Sequence, residues 1–287
     1  MESRVPRLIL VPTDFSAPAA HALRYASALA ERFDAHLLVL YADLFMVPVD
    51  FMASAAGAFD VARDAMIDKA QQQLLAHAEQ CIGRGVPFDT RVLVNRAAEA
   101  IGDQVRETGA DLIIMGTHGR TGVRRVLLGS VTEAVMRVAK VPVIAVNPRS
   151  AGHAKVEKIV CPVDYTPACA DALLRAAALA PQADIVLVRS VDRFGECFDE
   201  LPRLRAWAPP ELVSRCELKL MTANASASEI VAFAKDLDAD LIALGLAGDR
   251  SLVKIIQHST CPVLTVSGAA PRTRPVEERV SEPAVAV

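Results

Sequence analysis

The chain lacks several features that would assign it to a membrane, a secretory route or nucleic acid. No apolar run approaches the roughly 20 residues that a membrane-spanning helix needs. Asp14 interrupts the first apolar stretch, so we expect no secretory signal. The formal net charge of -3 gives no reason to expect nucleic-acid binding.

Cysteine motifs and catalytic motifs are also missing. The six cysteines form no CxxC pair and no zinc-type spacing, so we expect reduced thiols in the cytoplasm: Cys81, Cys161, Cys169, Cys197, Cys216 and Cys261. No nucleophile elbow, metal-ligand cluster or acid/base pair stands out in the sequence. The sequence therefore names no catalytic residue and no protein metal ligand.

What the chain does contain is an internal repeat. Leu8 to Ser16 matches Lys158 to Thr166, since both are apolar runs that end in Pro-x-Asp-aromatic-hydroxyl. Two further blocks match in the same order: 109–116 with 238–245, and 141–146 with 261–266. Three matched blocks indicate two copies of one unit, joined near 147–155, where Pro148, Ser150 and Gly152 suggest a linker.

The first copy alternates strand and helix patterns. Strands are predicted near 7–12, 36–41, 89–94, 111–116 and 142–146, and helices near 17–33, 60–83, 97–108 and 129–139. The segments 43–59 and 192–215 read as the irregular parts of the two copies. This alternation predicts an α/β fold in which each copy is an open five-stranded parallel sheet with helices on both faces.

The most informative segment is the glycine-rich stretch from Gly116 to Ser130. It follows a buried strand pattern and leads into a helix, an arrangement that favours a phosphate site. It matches neither the P-loop nor the dinucleotide fingerprint, so a simple turn stays an alternative. Arg120, Arg124 and Arg125 are interpreted as phosphate contacts or as solvated surface, and His118 as a solvent-facing loop residue.

Asp14 has two interpretations. It is an N-cap for the helix that begins near Ala17, or it accepts a hydrogen bond from an amine or hydroxyl of a ligand. Because Asp14 and Gly116 both follow strands of one parallel sheet, they belong to the edge where such sheets bind ligands. That shared edge favours the ligand role.

With these residues in place, the chain resembles a universal stress protein with two tandem flavodoxin/Rossmann-like domains. The spacing Gly116-x2-Gly119-x9-Gly129-Ser130 fits the family's nucleotide motif at every position. The resemblance implies ATP binding, with Asp14 at the ribose or adenine end and the Ala42 backbone facing adenine. It also implies that phosphates lie at Gly116, Gly119, Gly129 and the helix start, with Mg²⁺ or Mn²⁺ able to bridge them. The full predicted set is Pro12, Thr13, Asp14, Ala42, Met115, Gly116, Gly119, Gly129, Ser130, Val131 and Thr132.

The second copy departs from this pattern. It keeps Asp164, but seventeen positions separate Gly245 from Pro262 where twenty-six separate Gly116 from Pro142. The missing positions correspond to the arginine-bearing loop and its Gly-Ser step. We therefore expect this copy to be retained for packing and not to bind ATP in the same way.

The predicted organisation is an intact nucleotide-binding domain at 1–148, a degenerate domain at 156–267 and a disordered tail at 268–287. The resemblance implies that the last strands of the two domains, near Pro142 and Pro262, pair within the chain, and it allows a further homodimer. The apolar segment 45–52 is interpreted as a packing surface or as a flap over a ligand or a lipid-like surface.

The resulting hypothesis is a cytoplasmic ATP-binding regulatory or stress-response protein, in which the nucleotide biases conformation or assembly. Two alternatives stay open. One is a weak ATPase, for which no general base can be named. The other is a non-catalytic adaptor that acts through residues 45–52.

Overall fold

The computed structural model describes residues 5–45, 58–119, 128–148, 155–191, 197–222, 226–246 and 251–268. Strands and helices alternate through the first half of the chain. In order, they are β1 Leu8–Pro12, α1 Ala17–Phe33, β2 His36–Asp43, α2 Ala58–Cys81, β3 Phe88–Val94, α3 Ala97–Thr108, β4 Leu112–Gly116, α4 Ser130–Val138 and β5 Val143–Val146.

The second half repeats the pattern. Its elements are β6 Lys158–Pro162, α5 Pro167–Leu179, β7 Asp184–Val191, α6 Cys197–Trp207, β8 Cys216–Thr222, α7 Ala227–Asp236, β9 Leu241–Leu246, α8 Ser251–His258 and β10 Val263–Ser267. Helix α6 corrects the expectation of an irregular segment at 192–215. Pro202 lies inside this helix, where proline normally ends one, so the sequence pattern concealed it.

All ten strands form one sheet in the order β3-β2-β1-β4-β5-β10-β9-β6-β7-β8. Neighbours within each half are parallel, and both halves have the same internal order. This confirms the α/β fold class. The two five-stranded units are joined into one sheet by β5 and β10. These two strands pair antiparallel, with Leu264 opposite Ile144.

The alternation of side chains along each strand explains why both faces of the sheet are covered. In β2, Leu37 and Val39 pack on the face covered by α1 and α2, whereas Leu38 and Leu40 pack on the face covered by α3 and α4. All four side chains are almost completely buried. Strands buried on both faces are what a parallel α/β sheet requires.

Side chains reinforce the junction between the halves. Thr265 Oγ1 donates to the Val143 carbonyl oxygen at 3.2 Å, and Ser267 Oγ donates to the Ala139 carbonyl oxygen at 2.5 Å. The Asn147 side-chain amide donates to the Ser259 carbonyl oxygen. The junction between the halves therefore has side-chain hydrogen bonds in addition to the pairing of β5 with β10. Each of these hydroxyl and amide groups has a hydrogen-bond acceptor in the other half.

Several predicted features lie outside the described residues. These are most of the linker, residues 46–52 of the apolar segment, and the tail beyond Gly268. Phe45, the first residue of that segment, is buried and packs against Tyr41 with ring centroids 6.1 Å apart. The domain bounds and the disordered tail stay predictions. No helix among the described residues is long and apolar enough to cross a membrane.

Candidate functional site

A cavity of about 260 Å³ opens where β1, β2 and β4 end and where α3 and α4 begin. All eleven residues that the sequence singled out line it: Pro12, Thr13, Asp14, Ala42, Met115, Gly116, Gly119, Gly129, Ser130, Val131 and Thr132. Seven further residues line it that the sequence did not single out as ligand contacts: Ala19, Leu40, Tyr41, Asp43, Ala97, Ile101 and His118. The cavity therefore lies at the sheet edge where parallel α/β folds bind ligands.

A turn between β1 and α1 holds Asp14. Thr13 is buried, and its N–H donates to the Leu40 carbonyl oxygen at 2.9 Å. Its Oγ1 accepts from the Phe15 N–H at 3.1 Å, while Asp14 Oδ1 accepts from the Ser16 N–H at 3.0 Å. These bonds hold Phe15 at a φ of 64°, a conformation that bulky residues rarely adopt.

Ser16, rather than Asp14, caps helix α1. Its side chain accepts from the Ala19 N–H at 3.3 Å, which is the bond that a helix cap makes. Asp14 lines the cavity two residues earlier. Because the cap is supplied by its neighbour, Asp14 does not fill the structural role that the sequence left open for it.

The glycines of the loop lie close to their neighbours, and the approach is tightest at Gly116 and Gly119. A β-carbon on Gly116 would lie 3.0 Å from the backbone of Pro18, and one on Gly129 would lie 3.4 Å from the Thr117 carbonyl oxygen. On Gly119 it would lie 2.7 Å from Asp14 Oδ2. Gly116 is thus packed against the backbone at the start of α1, and Gly119 is packed against the Asp14 carboxylate, as the lack of a side chain permits.

The start of helix α4 forms one wall of the cavity. The Gly129 N–H donates to the Thr117 carbonyl oxygen at 2.8 Å, and buried Thr132 Oγ1 donates to the Gly116 carbonyl oxygen at 2.9 Å. Gly129 is the N-cap residue and offers no side chain to the first turn. The N–H groups at the start of α4 therefore retain the capacity to bind an anion, and the helix dipole favours negative charge there.

The opposite wall is apolar. Leu40, Ile101 and Met115 are almost completely buried, and Ala42 and Ala97 lie beside them in the lining. Flat apolar walls with few polar groups are typical of sites that bind a ring system. The cavity thus has an apolar end and an anion-binding end.

His118 corrects the expectation of a solvent-facing residue. It is partly buried and lines the cavity, and its Nδ1 lies 2.7 Å from Thr117 Oγ1. Burial lowers the pKa of its imidazole. Arg120, Arg124 and Arg125 lie outside the described residues.

The corresponding edge of the second half is tighter. A β-carbon on Gly245 would lie only 2.2 Å from the Cys169 nitrogen, whereas the closest backbone atom to the equivalent position on Gly116 is 3.0 Å away. Helix α5 therefore approaches β9 more closely than α1 approaches β4.

A polar cluster also distinguishes the second half. The Tyr165 hydroxyl donates to Glu200 Oε1 at 2.5 Å, and Arg189 Nε donates to the same oxygen at 3.1 Å. The guanidinium groups of Arg189 and Arg203 lie 5.0 and 4.3 Å from the Tyr165 ring centroid. Phe15 and Tyr41, which occupy the positions of Tyr165 and Arg189 in the first half, form an aromatic pair with centroids 4.7 Å apart.

The described residues hold no group of three or more histidine, cysteine or acidic side chains suited to a metal ion. The carboxylates in the cavity lining are Asp14 and Asp43. Asp43 Oδ2 accepts from the Tyr41 hydroxyl at 2.8 Å, which ties this carboxylate to the aromatic pair.

Comparison with known proteins identifies similar sequences over the first half of the chain. The sequence model of the universal stress protein family matches residues 6–147. A universal stress protein of Methanocaldococcus jannaschii is 33% identical over 141 residues, which are 48% of this chain and 81% of the relative. A universal stress protein of Thermus aquaticus is 34% identical over 143 residues, which are 49% of this chain and 98% of the relative.

The fold has a solved counterpart that extends over both halves. A universal stress protein from Archaeoglobus fulgidus superposes with a TM-score of 0.66 and covers 93% of this chain and 99% of its own. The sequence identity is 16%, so this likeness concerns the fold alone. The sequence relatives, which match the half that holds the cavity, show that the chain belongs to the universal stress protein family.

Proposed function

We propose that the chain binds one ATP in the first half and that the nucleotide acts as a regulatory ligand in a stress response. The observation that carries this proposal is the single cavity with an apolar wall at one end and the glycine loop and α4 N-terminus at the other. An adenine ring suits the first end, and a phosphate chain suits the second.

In this proposal each lining group has a role. The Ala42 backbone faces adenine beside Leu40 and Met115, and Asp14 accepts a hydrogen bond from the ribose or the base. The phosphates lie against Gly116, Gly119, Gly129 and the first turn of α4, whose residues are Ser130, Val131 and Thr132. Mg²⁺ or Mn²⁺ would bridge the phosphate oxygens and neutralise part of their charge.

The second half is proposed to serve packing and not ATP binding. Two observations support this: the loss of nine positions from its loop, and the close approach of α5 to Gly245.

The last strand of the second half, β10, pairs with β5, so the edge that β5 would offer to another chain is already occupied. Any homodimer would therefore form through a different surface. Five cysteines have free thiols, which suits a role in the cytoplasm: Cys81, Cys161, Cys169, Cys216 and Cys261.

The decisive test is a stoichiometry. Isothermal titration calorimetry of the full chain is expected to give one ATP per chain. Gly119→Val and Gly129→Val should each weaken binding, because a side chain would displace the backbone from the phosphates. Gly248→Val in the second copy should leave the affinity unchanged. Two sites per chain, or a clear loss with Gly248→Val, would contradict the one-site proposal.

The same preparation separates the alternatives. ATP turnover that disappears with Asp14→Ala would favour a weak ATPase. Purified protein that carries no nucleotide and shows no thermal shift with ATP would instead favour an adaptor. A conformational role predicts a change in oligomeric state or in protease sensitivity upon ATP binding, with no turnover.

A further inference from the structure

The charge of the described cavity wall is unusual for a site that takes a phosphate chain. Its acidic side chains are Asp14 and Asp43, and none of the described lining residues is lysine or arginine. His118 is the one described lining side chain that can become positively charged. A polyanion that enters this cavity therefore approaches two carboxylates and one imidazole.

The backbone of His118 is held between the two parts of the site. Thr117, the residue before it, is buried; its N–H donates to the Val146 carbonyl oxygen at 3.1 Å and its carbonyl oxygen accepts from Gly129. A β-carbon on Gly129 would lie 3.7 Å from the His118 Cα. On the other side, Gly119 is packed against the carboxylate of Asp14. His118 thus lies between the α4 N-terminus and Asp14.

The hydrogen bond to Thr117 leaves the protonation state of the imidazole free to change. Nδ1 lies 2.7 Å from Thr117 Oγ1, and a hydroxyl can donate to the neutral nitrogen or accept from the protonated one. A carbonyl or carboxylate partner would favour a proton on Nδ1. Nε2 has no hydrogen-bond partner among the described residues, so it is available to a ligand.

We propose that His118 is a phosphate-contacting residue whose imidazole takes up a proton when a nucleotide with a phosphate chain binds. This inference rests on the proposed function and names how the same site is regulated. Without ligand, burial disfavours the imidazolium, as the lowered pKa of His118 indicates. A phosphate group beside Nε2 reverses that preference, because it supplies negative charge and accepts a hydrogen bond. Binding and protonation then favour each other, so affinity rises as the pH falls.

The test is calorimetry of the full chain with ATP in excess Mg²⁺, which keeps the terminal phosphate itself from titrating. Titrations between about pH 5.5 and 8 are repeated in buffers of different ionisation enthalpy, so that the heat reports the number of protons taken up. Wild-type protein is expected to take up protons on binding. Its affinity should rise by about tenfold toward low pH for each unit by which the ligand raises the pKa of His118.

His118→Gln keeps a hydrogen-bond donor but cannot titrate. We expect its ATP affinity to lose the dependence on pH and its binding to lose the proton uptake of the wild-type protein. Adenosine, which has no phosphate, should bind without proton uptake. His36→Gln is the matched control, because His36 lies at the start of β2 and its Nε2 is 2.9 Å from Asp89 Oδ2, away from the cavity. This control should keep the wild-type pH profile.

If the ATP affinity of the wild-type protein did not change with pH and its binding heat did not depend on the buffer, the inference would be overturned while ATP binding stayed intact. The inference would also be overturned if His118→Gln took up as many protons on binding ATP as the wild-type protein does. An absence of ATP binding at every pH would overturn the proposed function, and the role of His118 with it.

Discussion

Gly119 and Asp14 are packed so closely that a β-carbon on the glycine would lie 2.7 Å from Oδ2 of the carboxylate. Real β-carbons essentially never approach another atom this closely. A side chain at residue 119 must therefore displace the Asp14 carboxylate or the loop backbone. The position of Asp14 in the cavity depends on this fit.

Gly119→Ala tests that dependence with the smallest change available. The added methyl group must displace either the carboxylate or the loop backbone, so we expect ATP affinity to fall by about tenfold or more, equivalent to about 1.4 kcal/mol. Gly102→Ala in helix α3 is the control, since its β-carbon would meet only the end of the Arg106 side chain at 3.7 Å. It should leave the affinity unchanged and raise the free energy of unfolding by up to about 1 kcal/mol. Equal affinities for wild-type protein and Gly119→Ala would contradict the fit described here.

Thr132 holds the start of α4 to the end of β4. Its hydroxyl donates to the Gly116 carbonyl oxygen at 2.9 Å inside the protein. Thr132→Val removes the donor and leaves a buried acceptor unsatisfied, so the free energy of unfolding should fall by about 1–3 kcal/mol. Thr132→Ser keeps the hydroxyl, so its free energy of unfolding should fall much less. Urea unfolding of both variants measures the difference, and an equal loss of stability in the two would show that the methyl group contributes as much as the hydrogen bond.

The sequence predicted the parts of this molecule that follow from local patterns. The alternation of apolar residues identified the strands, and the Pro-x-Asp turn and the glycine spacing identified one edge of one sheet. The eleven residues that the resemblance to the universal stress protein family implied line one cavity. Their contact with ATP stays a prediction.

The cavity-lining residues that the sequence did not identify are brought to the site by tertiary packing. Leu40 and Ile101 have the same apolar periodicity as core residues, and the cavity forms beside them because α3 begins next to β2. His118 was misjudged because the buried neighbour that directs it, Thr117, is held by β5 and by Gly129. A threonine directly before a histidine at a strand end was the available signal, but it does not specify which way the imidazole points.

Gly245 offers a test of the asymmetry between the halves. Its β-carbon would lie 2.2 Å from the Cys169 nitrogen and 2.6 Å from two further backbone atoms of α5. Gly245→Ala must therefore move helix α5 or strand β9, and we expect a loss of about 3 kcal/mol in the free energy of unfolding. The number of ATP molecules per folded chain should stay at one. A mild effect on stability would contradict the close approach of α5, and a lost site would show that the second half contributes to binding.

The cluster around Glu200 makes stability depend on pH in the second half. The hydrogen bond from Tyr165 is the main cause that lowers the pKa of Glu200, and Arg189 and Arg203 contribute to the same shift. Because the folded pKa is below the unfolded value of about 4.3, the carboxylate stabilises the fold above that pH. This stabilisation is lost as the pH falls through the lower, folded value.

Glu200→Gln should therefore lower the melting temperature between about pH 5 and 7, and the difference from wild type should shrink below about pH 4. The variant still accepts a hydrogen bond from Tyr165 but no longer attracts the two guanidinium groups. Glu217→Gln is the control, because Glu217 pairs with Lys219 on the surface, where an ion pair contributes little. Thermal unfolding followed by circular dichroism across this pH range measures both variants. A difference for Glu200→Gln that does not shrink as the pH falls would show that the side chain acts through packing rather than through its charge.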